Sequence, residues 1–292
     1  MTDTTTHQTQ TALPEEMPAE RRSRTIILIV LLIAAIFFTY PTIQMLVNSF
    51  KSNDGIISNP SGLPDPWTLS SYADGFLGDR GLTRALINSI IISTTSTVIA
   101  VALSAMAAYG FAKFQFRGRD LIFAALLTTM MVPPEVLIPG QYLIFARLGL
   151  IETLTVQIIP TVTPVLGLFL IRQYMLSLPD EIIEAARIDG ASEFMIFRRI
   201  ILPMAAPVLS AYAILHFLSE WNAYLWPSIV ATTPEVKPIM VLLPQLVDQE
   251  VGFLPVYGTI MAGCVVATLP MVIVFLIFQD KIMNSITLGA VK

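Results

Sequence analysis

Six stretches of this chain are apolar without alternation and long enough to cross a bilayer as helices: residues 25–47, 85–112, 121–139, 156–173, 204–229 and 256–278. Lipid offers the backbone no hydrogen bonds, so runs of this kind predict helices rather than the short alternating strands of an outer-membrane barrel. The predicted fold class is an all-α membrane protein with six transmembrane helices. One polar connection, 177–203, carries a helical pattern of its own. Pro179 followed by Asp180, Glu181 and Glu184 marks a helix start, with proline tolerated in the first turn and acids near the positive end of the helix dipole. Gly190 is a natural stop, because a residue without Cβ takes the left-handed conformation readily. Ser192 is placed to cap a second helix on which Phe194, Phe197 and Ile201 recur on one face, and Pro203 is expected to end it. Two short helices hinged at a glycine form a knob shaped to fit a groove on another protein; the bland alternative is an amphipathic segment lying on headgroups through Arg187, Arg198 and Arg199.

Charge gives the segments a direction. Arg21, Arg22, Arg24, Lys113, Arg117, Arg119, Arg172, Arg187, Arg198, Arg199, Lys281 and Lys292 fall on one side of a six-span arrangement, and only Lys51, Arg80, Arg84, Arg147 and Lys237 on the other. The positive-inside rule puts both termini and the 177–203 connection in the cytoplasm. The opposite loops are acidic, with Asp54, Asp65, Asp74, Asp79, Glu152, Glu235, Asp248 and Glu250.

Composition agrees with a bilayer: 54% of the 292 residues are hydrophobic and 13% charged, with a mean hydropathy of +0.71. The net charge of −4 and the absence of a long basic run argue against nucleic acid. Cys264 is alone in an apolar segment, so neither an intramolecular disulfide nor a metal or redox role is expected. Arg21, Arg22 and Arg24 before an apolar run resemble the start of a signal peptide, yet no small-residue cleavage site follows and the run continues to Val47, which predicts an uncleaved anchor. The expected organisation is a disordered cytoplasmic tail at 1–24, a transmembrane domain at 25–279 and a cytoplasmic tail at 280–292.

Chemistry is sparse. No spacing has the logic of a nucleophile, a general base pair or a metal site, and no phosphate-binding glycine loop GxxxxGK[ST] occurs, so no catalytic residue, metal or cofactor is expected on this chain and any energy must come from a partner. Ionisable groups inside spans are costly and default to pores or polar pairs, which singles out Glu135 and Glu220. Their similar depth, about 20 Å from the cytoplasmic ends of their spans, suggests one shared cavity. Trp221, Asn222 and Tyr224 lie beside Glu220 and suit a sugar, although Trp and Tyr also serve as interface anchors. Pro133, Pro134, Pro160, Pro164 and Pro270 are hinges or fixed kinks, His216 is expected to be a hydrogen-bonded packing residue, and Gly258, Ala262 and Gly263 would let helices approach closely.

The stretch 184–203, EAARIDGASEFMIFRRIILP, resembles the cytoplasmic coupling loop of permease subunits in bacterial ATP-binding-cassette importers. Other stretches are similar to the maltose-permease G-like branch of carbohydrate importers: NSFK at 48–51, WTLSSY at 67–72, AAYGFA and KFQFRG at 107–118, MVPP at 131–134, WNAYLWP at 221–227, the run 261–279 and ITLGAVK at 286–292. Ala223 departs from it, since many relatives carry an acid directly after Trp-Asn and here the acid is Glu220. The resemblance implies a type I importer permease fold in a bacterial or archaeal inner membrane. It assigns ATPase coupling to Glu184, Ala185, Ala186, Asp189, Gly190, Ile200, Leu202 and Pro203. It also implies a second permease subunit, an ATPase dimer holding ATP and Mg, and an extracytoplasmic solute-binding protein, with the loop 244–255 reaching toward the binding protein and 286–292 toward the ATPases. Relatives of this kind move maltose-like oligosaccharides, trehalose, other glycosides and glycerol-phosphate esters; the acidic candidates here fit a neutral solute better than a phosphorylated one. A self-sufficient secondary carrier is the alternative, although the chain shows no internal repeat of the sort such carriers have.

Overall fold

The computed structural model describes residues 18–163, 165–248, 250–251 and 254–290. The first span, α1 (Pro18–Asn48), leads into two short helices, α2 (Asn53–Ser58) and α3 (Ser70–Tyr72), and one π-helical turn at Ala73–Leu77. Then follow α4 (Leu82–Lys113), α5 (Arg119–Thr129), α6 (Pro134–Arg147), α7 (Leu154–Ile158) with a 3-10 turn at Ile159–Thr161, and α8 (Val165–Leu176). The knob comprises α9 (Asp180–Ile188), α10 (Glu193–Ile196), a π-helical turn at Phe197–Ile201 and α11 (Leu202–Met204). The chain closes with α12 (Ala206–Trp221), α13 (Leu225–Val230), α14 (Ile239–Gln245) with a 3-10 turn at Leu246–Asp248, an antiparallel ladder of β1 (Glu250–Val251) and β2 (Leu254–Pro255), and α15 (Tyr257–Ala290). The class is helical, as the apolar pattern predicted.

Among the described residues three unbroken helices are long and apolar enough to span, Arg24–Asn48, Leu82–Lys113 and Tyr257–Phe278, and three bent helix pairs bring the number to six if each pair is counted as one span. Two of these breaks fall at prolines read from the sequence as hinges or kinks. The third crossing turns by 95° between α5 and α6, where Pro133 and Pro134 cannot continue the α-helical hydrogen-bond ladder. The fourth bends by 42° after the 3-10 turn that contains Pro160. The 75° angle at Ala205 lies between the knob's second arm, Glu193–Met204, and α12, which stops at Trp221, so the expected span 204–229 is two helices, α12 and α13. Pro270, by contrast, lies within a helix that continues on both sides.

The ends differ as well. Helix α1 begins at Pro18, so part of the expected disordered tail is helical; its Glu, Arg and Ala residues are good helix formers. Likewise α15 runs on to Ala290, into the segment expected to be a tail, while residues 1–17, 291 and 292 lie outside the described residues. The loop 244–255 is partly helical and partly the short ladder, with residues 249, 252 and 253 outside that description.

Helix α4 is the axis of the bundle, packed against α8 and α12. One face of it is small and buried, with Ala85, Ser89, Ser93, Ser96, Ala100, Ser104, Ala105 and Ala108, and small side chains let helices approach where lipid supplies no hydrophobic drive. Ser96 returns its hydroxyl to the Ile92 carbonyl at 2.7 Å, which satisfies it inside the helix. At one end of α4, Ala108, Tyr109 and Ala112 join Ile183, Ile196 and Ile201 of the knob and Ile171 and Met175 of α8 in a single core. At the other end, Leu82 and Ala85 pack with Trp221, Leu242, Leu243 and Ala267. Asn88 Nδ2 donates there to the Glu235 and Lys237 carbonyls, each at 3.0 Å, and Ser89 Oγ accepts from Ile239 N at 2.8 Å. Gly263 lets α15 come close to α14: a Cβ at that position would lie 2.4 Å from Leu243 Cδ2, so the leucine side chain would have to shift to admit it.

Candidate functional site

The knob forms as its residues dictate. Pro179 stands before the first turn of α9, Asp180 and Glu181 occupy that turn, and Gly190 ends the helix at φ +80°, the left-handed region that an L side chain enters at a cost of about 1–2 kcal/mol. Ser192 Oγ then accepts from Met195 N at 3.4 Å and starts α10. Pro203 does not end this second helix. The π-helical turn before it lets Leu202 N reach back five residues to the Phe197 carbonyl, and the chain breaks only at Ala205. Phe194 is not on the packed face either: Ile196 and Ile201 are buried and Phe197 and Ile200 pack against them, whereas Phe194 in the first turn is 69% exposed.

Of the predicted coupling residues, Glu184, Ala185, Asp189, Gly190 and Pro203 are exposed, while Ala186, Ile200 and Leu202 are partly buried against the bundle. Beside them Ile188 is 86% exposed, and with Phe194 it leaves apolar surface on a knob whose Ile183, Ile196 and Ile201 face inward. Sequence reasoning passed over the anchors beneath. Tyr109 donates from its hydroxyl to Glu193 Oε2 at 2.8 Å, Arg187 Nε donates to Glu193 Oε1 at 2.6 Å, and Lys113 Nζ reaches the Leu178 carbonyl at 2.7 Å and Asp180 Oδ1 at 2.6 Å. Arg172 Nε donates to the Phe111 carbonyl at 3.2 Å and its guanidinium lies 4.1 Å from the Phe123 ring centroid.

Far from the knob, a cavity of about 370 Å3 opens where three helix interruptions meet. Pro134 and Glu135 line it from the bend between α5 and α6, Pro160 and Thr161 from the break after α7, and Ala223 and Tyr224 from the gap between α12 and α13. Glu220, Ser219, Gln141, Gln157 and Trp226 complete the polar and aromatic lining. Both intramembrane carboxylates therefore face one space. The structure does not bring Trp221 and Asn222 there: Trp221 is 1% exposed with Nε1 donating to the Ala267 carbonyl at 3.1 Å, and Asn222 returns its amide to the Leu218 carbonyl. Below Thr161, His216 has both ring nitrogens engaged, Nε2 with the Thr161 carbonyl at 3.0 Å and Nδ1 with Thr97 Oγ1 at 3.3 Å, a packing role. The lining residues missed in the sequence, Gln141, Gln157, Thr161, Ser219 and Trp226, had one available signal, polar atoms within or beside apolar segments.

One wall of the cavity is held from outside by Glu152. Its carboxylate accepts from Thr232 N at 3.0 Å, from Thr233 N and Thr233 Oγ1 at 3.0 Å each, and from Thr232 Oγ1. Its own N–H donates to the Val230 carbonyl at 3.0 Å, and the backbone takes φ +61° to allow this. Burial alone would raise its pKa, but the hydrogen bonds from Thr232 and Thr233 outweigh burial and hold the carboxyl at about 2. Trp226 Nε1 donates to the Val156 carbonyl at 2.9 Å in the same wall.

The family described as the binding-protein-dependent transport system inner membrane component matches residues 100–287. The chain is similar to the arabinooligosaccharides transport system permease protein AraQ of Bacillus subtilis (strain 168), 33% identical over 261 residues that cover 88% of this chain and 92% of the relative. It is similar also to the diacetylchitobiose uptake system permease protein NgcG of Streptomyces coelicolor, 30% identical over 94% of this chain and 91% of the relative. Among solved structures, a chain of a bacterial ABC transporter that imports the acidic polysaccharide alginate superposes with a TM-score of 0.83 at 24% identity, covering 92% of this chain and 99% of that one.

Proposed function

Because the chain belongs to the binding-protein-dependent transport system inner membrane component family, we propose that it lines half of the pathway of an ATP-driven importer for an oligosaccharide. Its knob would dock on a separate ATPase in the cytoplasm. The remaining parts of the machine are a second permease subunit, an ATPase dimer holding ATP and Mg, and an extracytoplasmic solute-binding protein. Both termini are cytoplasmic in this reading, which the distribution of Lys and Arg supports. Family membership disfavours a self-sufficient carrier.

The observation that carries the docking role is the contrast within one loop. Ile183, Ile196 and Ile201 are buried against the bundle while Ile188 and Phe194 stand 86% and 69% exposed, flanked by the polar Glu184, Asp189 and Arg198. Anchored below and apolar at the tip is the anatomy of a hot spot ringed by charge. Through Glu184, Ala185, Ala186, Asp189, Gly190, Ile200, Leu202 and Pro203 the loop would receive the ATPase and pass its motion inward. The sugar-type substrate rests on the cavity, where the carboxyl groups of Glu135 and Glu220 offer oxygen atoms to hydroxyl donors. Relatives named for arabinooligosaccharide and diacetylchitobiose transport support an oligosaccharide, while one named for sn-glycerol-3-phosphate transport is about as similar.

The test replaces Ile188 and Phe194 together by Glu in the complex co-expressed with its ATPase. The expected result is at least a tenfold loss of co-purifying ATPase, about 1.4 kcal/mol, with the permease pair intact. Undiminished co-purification would overturn the assignment of the knob.

A further inference from the structure

We infer that α4 is the element through which the knob's motion enters the bundle, and that Tyr109 and Lys113 are the positioning residues that fasten the two arms of the knob to it. This rests on the docking role above and goes beyond it, since docking says where force arrives and not which helix receives it.

Two separate tethers carry the inference. On the second arm, Tyr109 of α4 donates to Glu193 at 2.8 Å, and the same carboxylate is held from its other oxygen by Arg187 of the first arm at 2.6 Å. Glu193 therefore ties the arms to each other as well as to α4. On the first arm, Lys113 grips Asp180 and the Leu178 carbonyl, with its side chain only 4% exposed. A single contact would be a pivot about which the knob could swing. Contacts to both arms, reinforced by Tyr109 lying 5.3 Å from Phe197 and by Ile183, Ile196 and Ile201 in one core with Ala108 and Ala112, oppose such a swing; α8 shares that core through Ile171 and Met175 but holds the knob by none of these polar tethers. Packed interfaces of this kind switch between discrete arrangements rather than bending smoothly.

The other end of the lever is on the same helix. Ile92 of α4 lines the cavity, about 25 Å from Tyr109 at 1.5 Å per residue. Asn88 and Ser89, one turn further, hold the 235–239 segment by the hydrogen bonds described above. A displacement of the knob that carries α4 with it moves a cavity wall and the segment beyond it together.

The experiment uses the assembled transporter in lipid nanodiscs with Cys264 replaced by Ser. Spin labels are placed at Arg199 of the knob and Met106 of α4, and in a second sample at Met106 and Ile273 of α15. Distances are read without nucleotide and after trapping with ATP and vanadate. The Arg199 to Met106 distance is expected to stay fixed while the Met106 to Ile273 distance changes by about 2 Å or more. In Tyr109→Phe, which keeps the ring contacts, and in Glu193→Gln, the first distance is expected to vary with nucleotide and the second change to fall below about half, with ATPase co-purification unchanged and the unfolding midpoint lower by no more than about 2–4 °C. A purely structural role would not separate those readouts. The inference is overturned if the unmodified knob moves relative to α4 on trapping, or if both variants transmit the full change to α15. Should the ATPase fail to associate with the unmodified complex at all, the docking role falls and takes this inference with it, whereas association with either overturning result removes the linkage alone.

Discussion

Replacing Glu152 by Gln is the sharpest test of how the cavity wall is held. The carboxylate sits among two backbone N–H groups and two threonine hydroxyls. Gln keeps the size but only one acceptor oxygen; placed where Oε2 stands, that oxygen still accepts from the backbone N–H groups of Thr232 and Thr233, so what is lost is the negative charge and the second oxygen that accepts from Thr232 N and the Thr232 hydroxyl. A lost hydrogen bond to a charged group costs about 1.5–3 kcal/mol when sheltered. Glu152 is only partly buried, so water substitutes in part and about 1–2 kcal/mol is the expected loss. For a chain of this size that is a fall of a few degrees in unfolding midpoint, at about 2–4 °C per kcal/mol. The sign with pH follows from the depressed pKa, about 2 against an ordinary 4.5. The stabilisation is complete above about 4.5, where the unfolded carboxyl is also ionised, and is lost as pH falls through about 2. Scanning fluorimetry of the purified complex from pH 7 down to the lowest pH it tolerates should show the two proteins apart at neutral pH and converging in acid. A gap that is absent at pH 7, or that does not narrow below pH 4.5, would refute the reasoning.

Three further substitutions separate the cavity from its scaffold. Glu220→Gln and Glu135→Gln, assayed by solute uptake into proteoliposomes, should each weaken apparent affinity about 10–100-fold if the lost charge-assisted hydrogen bond is worth about 1.5–3 kcal/mol, and unchanged affinity in both would remove the carboxylates from the pathway. Trp221→Phe should lower stability by about 1 kcal/mol through loss of the bond to the Ala267 carbonyl while leaving uptake affinity alone; an affinity change would return that residue to the pathway.

The sequence carried the crossings because a lipid core imposes one pattern on every span, and it carried the knob because Pro179, Gly190 and Ser192 each have a local physical role that needs no tertiary context. Faces were harder. Glu220 and Trp221 are neighbours in sequence but stand about 100° apart around a helix, so one meets the cavity and the other α15, and no amount of adjacency decides which. The break after Trp221 was hidden because neither Pro nor Gly occupies 221–224; the nearest proline, Pro227, lies inside α13. Pro133 and Pro134 did mark the sharpest bend, but a proline pair gives no angle. The anchors at Tyr109 and Lys113 were invisible for another reason: their partners lie 84 and 67 residues away.

The three interruptions around the cavity have a consequence for solvent. Each leaves peptide groups outside a regular helix at a depth where hydrocarbon could not satisfy them, and such backbone persists in a bilayer only if it is sheltered by protein or hydrated. Since Pro134, Thr161 and Ala223 all border the same space, that space is expected to hold ordered water, so an arriving solute exchanges one set of hydroxyl partners for another instead of shedding its hydration into a dry slot.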